Sequence, residues 1–278
     1  MKVCSCGNIN EDIIFTLKSF PEHHEKINTS YYYIGHGGSA ANTAWWLASM
    51  GHRPRMVGCV GSDLMGDESI RGLEESGVET SGISRSCKRT GIATIFSSGQ
   101  DKRMIKVRGA NEDITFKESD YSGATHIHLS SVSENLAKGI LEYAKDNGIR
   151  TSWDPSESLH AKLLDKVDYL FINEDDIGRN NAALEENRPR NIIITKNGGG
   201  CNINHEIDVP SLGWQSIDTT GAGDAFDAGF IHGLENGLGH YECAKWATAC
   251  ASMNVRAVGS RDGFTSLDVL KKIIKEEF

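Results

Sequence analysis

Short apolar runs bounded by Gly, Asn or Asp recur along the chain, and the stretches between them are longer and amphipathic. This alternation predicts a parallel sheet covered by helices, because strands buried on both faces read as near-continuous apolar runs. Strands are expected at Lys2–Cys6, Arg55–Val60, Thr125–Leu129, Arg150–Trp153, Tyr169–Ile172 and Asn191–Lys196. Helices are expected at Ala40–Met50, Gly66–Ser76, Glu134–Asn147, Phe226–Glu235, Tyr241–Asn254 and Ser266–Glu277. Two segments, 12–35 and 88–108, read as β ribbons without helices and predict a separate small sheet; Ser97–Asp101 has hairpin-turn residues. The expected organisation is a main α/β domain of 1–11, 36–87 and 109–278 with a β lid of 12–35 and 88–108. Such a lid could exclude water from the mouth of the main sheet, or join a second copy through its edge into a homodimer.

Composition narrows the partners. The 278 residues allow one large α/β domain, and a formal net charge of -9 argues against nucleic acid or an anionic membrane. Seven scattered cysteines form no Cys-x-x-Cys pair and read as reduced thiols of a cytoplasmic protein. Met1–Cys6 lacks an apolar leader core and no apolar run approaches a membrane span, so a soluble protein is expected.

The densest candidate chemistry is Asp218-Thr219-Thr220-Gly221-Ala222-Gly223-Asp224-Ala225-Phe226. A small-residue turn that opens a helix presents N–H groups with no partner inside the helix, at the positive end of its dipole, and can hold phosphate oxygens. Gly221, Ala222 and Gly223 let a ligand come close to the backbone. Asp224 would repel a phosphate as its ligand, but beside one it suits a proton acceptor. The run points to phosphoryl transfer to a hydroxyl, with Asp224 taking the proton while the turn's amides stabilise the migrating group. A plain loop and helix start would use the same letters.

Further constellations suit a polyhydroxylated ligand. In Gly37-Gly38-Ser39-Ala40-Ala41-Asn42 the glycines permit close approach, and Asn42 both donates and accepts. Gly35-His36-Gly37-Gly38-Ser39-Ala40 also fits a loose Gly-x-Gly-x-x-Ala dinucleotide pattern, which should follow a core strand rather than the polar ribbon Tyr31–Ile34. Asn10 and Asp12 leave the first strand at the end where open α/β sheets bind ligands, and together can bond neighbouring hydroxyls. Lys106 and Arg108 share one face of an extended strand; they could hold a phosphate on the substrate or form a solvated edge that guards against aggregation. His126 and His128 read as core or pocket rim rather than metal ligands. Neither a Gly-x-x-x-x-Gly-Lys-Ser/Thr loop nor the His-Arg-Asp and Asp-Phe-Gly set occurs, which excludes P-loop and protein kinases.

Taken together these motifs resemble the ribokinase-like (PfkB) carbohydrate and nucleoside kinase family. Asp-Thr-x-Gly-Ala-Gly-Asp at 218–224, Gly-Gly-x-x-x-Asn at 37–42 and Gly-x-Ile-Asn-x-Asp at 7–12 carry the likeness, with scaffold blocks at 58–67, 77–80 and 108–111. The resemblance implies a ribokinase-like α/β fold, a central mostly parallel sheet flanked by helices, with a small β-sheet lid. It implies an ATP-dependent kinase that passes the γ-phosphoryl group to a hydroxyl of a small sugar or related polyol. Sugar phosphates and nucleosides stay open as acceptors, as does a non-catalytic relative that only binds its ligand. Asn10, Asp12, Gly37, Gly38, Asn42 and Arg108 are expected around the acceptor. On the nucleotide side, Asn173 and Asp176 resemble the family's Asn-x-x-Glu motif, which supports magnesium and phosphate through water; with Asp in place of Glu, Glu174 or Asp175 could share the role. Thr195, Lys196, Gly198 and Gly200 fall in a loop similar to the family's Thr-x-Gly-x-x-Gly, with Asn197 at the usual glycine. The segment 251–259, with Asn254, resembles the one that closes over adenine, and Asp218 and Thr220 could share a monovalent cation such as K+.

Overall fold

The computed structural model describes residues 2–98, 101–155 and 159–278. Its main sheet has nine strands. Seven run parallel: β1 (Val3–Gly7), β4 (Arg55–Gly61), β5 (Glu79–Ser86), β8 (His126–Ser130), β9 (Arg150–Asp154), β10 (Tyr169–Asn173) and β11 (Asn191–Thr195). The short strands β12 (Cys201–Ile203) and β13 (Ile207–Val209) add an antiparallel edge, giving the order β13-β12-β11-β10-β9-β8-β1-β4-β5. Every residue of β1 and β8 is buried, as expected of strands covered on both faces.

Helices α1 (Ser39–Ser49), α5 (Ala222–Glu235), α6 (His240–Asn254) and α7 (Leu267–Glu277) pack one face, where Trp46, Leu47, Ala228, Ile231 and Met253 share a core with Val3. Helix α2 (Leu64–Glu75) joins α1 through Leu73, Ala44 and Met56. On the other face α3 (Glu134–Asp146) sets Leu136, Ile140 and Leu141 against Ile127, Leu129 and Trp153, and α4 (Glu174–Glu186) adds Leu184. Among the described residues, no helix is long and apolar enough to cross a membrane.

A second, four-stranded sheet has the order β3-β2-β6-β7, from β2 (Asn10–Thr16), β3 (Tyr32–Gly37), β6 (Gly91–Ser98) and β7 (Asp101–Val107). Its register places Asp12 beside Ala93 and Ala93 beside Lys106, so these three residues form one row across the sheet on the same face. The next row toward the main sheet starts at Asn10, opposite Gly91. Asn10 and Asp12 are therefore strand residues two apart on one face, not members of a post-strand turn. Asp63, the N-cap of α2, anchors this sheet's entry: it accepts from Gly66 N and from the amide and hydroxyl of Thr90, just before β6.

Several elements differ from the sequence expectations. Strand β5 lies at the sheet edge and buries two of its eight residues, so it shows no apolar run. Helix α4 starts directly after β10 with Glu174, Asp175 and Asp176 in its first turn, and its polar surface hid its period. Helix α5 begins at Ala222, four residues before the expected start, which puts Asp224 in its first turn. The stretch between β2 and β3 is irregular rather than a continuous ribbon, and the tip of the expected hairpin, residues 99 and 100, lies outside the described residues.

Helices α5 and α6 meet closely because Gly229 has no side chain: a Cβ there would lie 2.7 Å from Ala247 Cα and 2.7 Å from Trp246 O. Backbone atoms cannot turn aside as a rotamer can. Gly229→Ala should therefore lower unfolding free energy by about 1–3 kcal/mol for overpacking, partly offset by a helix-propensity gain of up to about 1 kcal/mol. Urea titration measures the net, and an unchanged or raised midpoint would contradict the tight contact.

Candidate active site

The carboxyl ends of the parallel strands form a cleft, since Gly7, Ser130 and Asp154 end in register on three neighbouring strands, and Asn173 and Thr195 on two more. The turn before α5 stands over these ends. Gly221 caps the helix in the left-handed region (φ 76°, ψ 4°), and a Cβ there would lie 2.5 Å from Ser260 Cβ. Only glycine meets both conditions. The amide and hydroxyl of Thr220 donate to Asp218 Oδ1 at 3.0 and 2.8 Å, and the Gly259 amide donates to Asp218 Oδ2 at 3.0 Å. Burial alone would raise the Asp218 pKa, but the Gly259 amide, the Lys102 charge and Thr220 outweigh it and hold the carboxylate below its usual range.

Lys102 of β7 crosses from the small sheet to this turn. Its ammonium donates to Thr220 Oγ1 at 2.6 Å and lies 3.5 Å from Asp218 Oδ1. The pair expected to share a monovalent cation is thus already served by a lysine. Asn254, expected beside the nucleotide, is fully buried instead and donates from Nδ2 to the Thr220 carbonyl at 2.7 Å. It shapes the turn from below.

Asp224 Oδ2 accepts from Asn42 Nδ2 at 2.7 Å. Asn42 Oδ1 in turn accepts from Ser260 Oγ at 3.0 Å and from Arg261 Nε at 2.9 Å, which fixes the amide's orientation. Burial pushes the Asp224 pKa up, opposed by Asn42 and Ser39 and by the charges of Arg261 and Lys106. Asp12 is buried too, with its carboxyl against Gly37: a Cβ on that glycine would fall 2.1 Å from Asp12 Cγ. Burial, opposed by Arg261 and reinforced by Asp224, raises the Asp12 pKa to about 7. Gly38 is the N-cap of α1, directly before the helix that carries Asn42. Asn10 Oδ1 accepts from Asn111 Nδ2 at 2.8 Å, and Asn111 Oδ1 accepts from Ile9 N at 2.9 Å.

Several cavities open along the cleft, and Gly223 at the head of α5 lines two of them. One of about 310 Å³ is lined by Asn10, Arg108, Lys106 and Asn111. A larger one of about 550 Å³ brings Asn173, Thr195, Lys196, Gly198 and Gly200 together with Ala222 and Gly223. A third of about 210 Å³ lies beside it, where Gly223 meets Asn173, Asp154, Asp176 and Asp227. At the rim of the larger cavity Asn173 Nδ2 donates to Asn197 Oδ1 at 2.6 Å, and Asn197 Nδ2 donates to Asp175 Oδ2 at 2.7 Å. Asn197 takes positive φ (36°), doing a glycine's work at the turn. Lys196 pairs with Asp208 and Asp176 with Arg179, while Glu174 is exposed. Oxygen donors of this kind suit a magnesium ion. Among the described residues no group of three or more His, Cys, Asp or Glu side chains is placed to hold a metal ion.

His126 and His128 are fully buried within a polar chain. His126 Nδ1 lies 3.3 Å from Glu235 Oε1, His126 Nε2 lies 2.8 Å from Ser152 Oγ, and Ser152 Oγ lies 2.9 Å from His128 Nδ1. Beyond them His128 Nε2 is 3.7 Å from Asp227 Oδ2, one helical turn past Asp224. Burial, with Asp154 and Asp224 nearby, pushes the pKa of Asp227, which lines the third cavity, well up.

An open, mostly parallel sheet with a second small β sheet, and an acid in the first turn of a helix opened by glycines beside a cavity, are features of a small-molecule phosphotransferase of ribokinase-like fold. A family model described as "pfkB family carbohydrate kinase" matches residues 1–266, and the chain belongs to this family, whose members are phosphotransferases with an alcohol acceptor. It is 26% identical to a ribokinase of Lactococcus lactis over 99% of this chain and 97% of the relative. It is 28% identical to an ATP-dependent ribose-1-phosphate kinase of Halopiger xanaduensis, over 100% and 99%. Among solved structures, a nucleoside kinase of Burkholderia thailandensis in complex with inosine superposes with a TM-score of 0.88 at 17% identity, covering 100% of this chain and 99% of that one.

Sequence reasoning passed over Arg261. An arginine among Gly259, Ser260 and Gly263 reads as an exposed loop residue, yet it is 7% exposed and burial pushes its pKa down to about 10. Its signal was its place in a polar run directly after an otherwise small, apolar segment. Arg261→Met keeps the bulk and removes the charge. Opposite charge lowers a carboxyl pKa, so its loss should move the joint titration of Asp12 and Asp224 upward by about one unit or more. Carbon-13 NMR of the carboxyl groups reads this directly; a titration left near pH 7 would show that Arg261 does not govern it.

Proposed function

We propose that the protein is an ATP-dependent kinase that transfers the terminal phosphoryl group to a hydroxyl of a small sugar or related polyol. The observation that carries the reading is the Asp224 carboxylate in the first turn of α5, oriented by Asn42 and directly after Ala222 and Gly223, which line the cavity of about 550 Å³. The acceptor lies on the side of Asn10, Asp12, Gly37, Gly38 and Asn42, with Asp12 and Asn10 bonding hydroxyls beside the reacting one. The nucleotide lies along Asn173, Thr195, Lys196, Gly198 and Gly200. The names of the ribokinase, the ATP-dependent ribose-1-phosphate kinase and the nucleoside kinase support a hydroxyl acceptor and ATP as donor.

Asp224 accepts the hydroxyl proton, and its raised pKa brings its basicity nearer to neutral pH. The leading amides of α5, at Ala222, Gly223 and Asp224, stabilise negative charge on the migrating group. Asn173, Asp176 and Glu174 would hold a magnesium ion through water; when bound, that ion neutralises phosphate charge. Lys102 ties the small sheet to the turn and so links coverage of the cleft to the arrangement of the anion site.

Asp224→Asn keeps shape and removes the base. Turnover measured by ADP release should fall about 10² to 10⁴-fold with the melting temperature maintained, and near-normal turnover would sink the role. Because the base must be ionised, kcat/KM should fall as pH drops through the raised pKa of Asp224, above the ordinary carboxylate range, with Asp12 titrating at about 7 beside it. An acid limb near the ordinary carboxylate value of about 4 would contradict the buried pair.

A further inference from the structure

Strand β7 sends one side chain across to the turn before α5. Lys102, Met104 and Lys106 alternate along the strand and so share the sheet face that carries Asp12. From the end of that face the Lys102 ammonium donates to Thr220 Oγ1 at 2.6 Å and lies 3.5 Å from Asp218 Oδ1. The lysine side chain is 27% exposed and that of Asp218 11%, so water screens this pair far less than it would a surface ion pair.

The ammonium settles the hydrogen-bond directions of the turn. It can only donate, so Thr220 Oγ1 accepts from it and turns its own hydrogen toward Asp218 Oδ1, 2.8 Å away. The same carboxyl oxygen accepts from the Thr220 amide at 3.0 Å, and Asp218 Oδ2 accepts from the Gly259 amide at 3.0 Å. Every side-chain oxygen that Asp218 and Thr220 could offer a monovalent ion is therefore engaged. A second positive charge beside the ammonium would also be repelled. These residues do not fit a potassium ion; they already hold a cation on a tether.

A positive charge is needed at this place. Burial would raise the Asp218 pKa, yet the Gly259 amide and Lys102 hold it below the usual range, so the group is ionised at neutral pH. It stands just before the leading amides of α5, and a bare carboxylate there would oppose the phosphate oxygens those amides suit. Lys102 cancels that charge and leaves the helix terminus positive. Because the cation belongs to the small sheet, it arrives with the sheet instead of being drawn from solution.

Resting on the kinase reading above, we infer that Lys102 is this chain's own monovalent cation: its ammonium neutralises Asp218 and orients Thr220, so the anion site at the head of α5 works without potassium or any other added monovalent ion. Lys102 acts through the turn and is a positioning residue. Cutting it back to alanine leaves a carboxylate and a hydroxyl around a gap of ammonium size, which a free ammonium or potassium ion can fill.

ADP release with ATP and magnesium, and with ribose, ribose 1-phosphate or inosine as acceptor, should be measured at equal ionic strength in tetramethylammonium, sodium, potassium and ammonium chloride. The native chain should keep its kcat/KM within about two-fold across the four salts. Lys102→Ala should lose about 10-fold or more in tetramethylammonium, which is too large for the gap, and recover about 5-fold or more in ammonium or potassium. Lys102→Met, which removes the charge and keeps the gap filled, should lose as much and recover little. Activation of the native chain by potassium, an alanine variant as active as the native chain, or a loss that neither ion restores would each overturn the inference and leave the kinase reading standing. If the native chain releases no ADP above the Asp224→Asn background, the kinase reading is what fails. The melting temperature then decides on the cation: relative to tetramethylammonium, ammonium or potassium should raise that of Lys102→Ala more than that of the native chain. Equal shifts would overturn the role of Lys102.

Discussion

A guanidinium group shut away from water is what the candidate site is built around. An isolated buried charge costs several kcal/mol, so Arg261 can stay inside only where opposite charge and hydrogen-bond acceptors meet it. Arg261 Nε donates to Asn42 of helix α1, Asn42 donates to Asp224 of helix α5, and the charges of Asp12 from the small sheet and of Asp224 act on the guanidinium through space. Each is equally dependent on the others: the two carboxylates would repel one another if left as a pair. The small sheet, two helices and the 260 loop are thereby coupled through one buried cation and the carboxylates near it.

Around this cluster two kinds of group meet. Asn10 is braced by Asn111 and Asp12 is seated over Gly37, so the small-sheet side is set by side chains. The cavity beside Gly223 joins the Thr195–Gly200 turn to the head of α5, whose leading amides have no partner inside the helix. Side chains can be exchanged to suit different small molecules, whereas amides at a helix N-terminus suit phosphate whatever it is attached to. The relatives named as a ribokinase and a ribose-1-phosphate kinase differ in acceptor by name.

How much could be read in the letters depends on the range over which each residue acts. The doubly covered strands were visible where they carry short apolar runs, as in Leu170–Ile172 of β10 and Ile192–Ile194 of β11, and the α5 turn was visible because it sets small residues side by side. Strand β5, half-exposed at an edge, and helix α4, polar on its surface, lack the periodicity that reveals an element. Asp224 and Asn42 could be singled out from their own neighbours in sequence. Arg261 could not, since its meaning lies in Asn42, 219 residues away, and a charged residue in a Gly and Ser loop ordinarily faces water. Asn254 was found as an amide near the right place, but an amide's letter does not say whether it looks into a cavity or into the underside of a turn.

The contacts between α1 and the 260 loop carry a consequence for how the chain reaches its native state. Trp46 Nε1 donates to Ser260 O at 3.0 Å, Asn42 meets both Ser260 and Arg261, and the sequence separations are 214 to 219 residues. On the ribosome, helix α1 emerges long before these partners exist, and Asn42 must wait with its carbonyl unanswered until they are synthesised. Local helices and β-α units can form early, but closure of the site is an event of very high contact order and belongs to the end of folding. Binding competence is therefore the last property the chain acquires, and a test for it reports on completed folding as well as on chemistry.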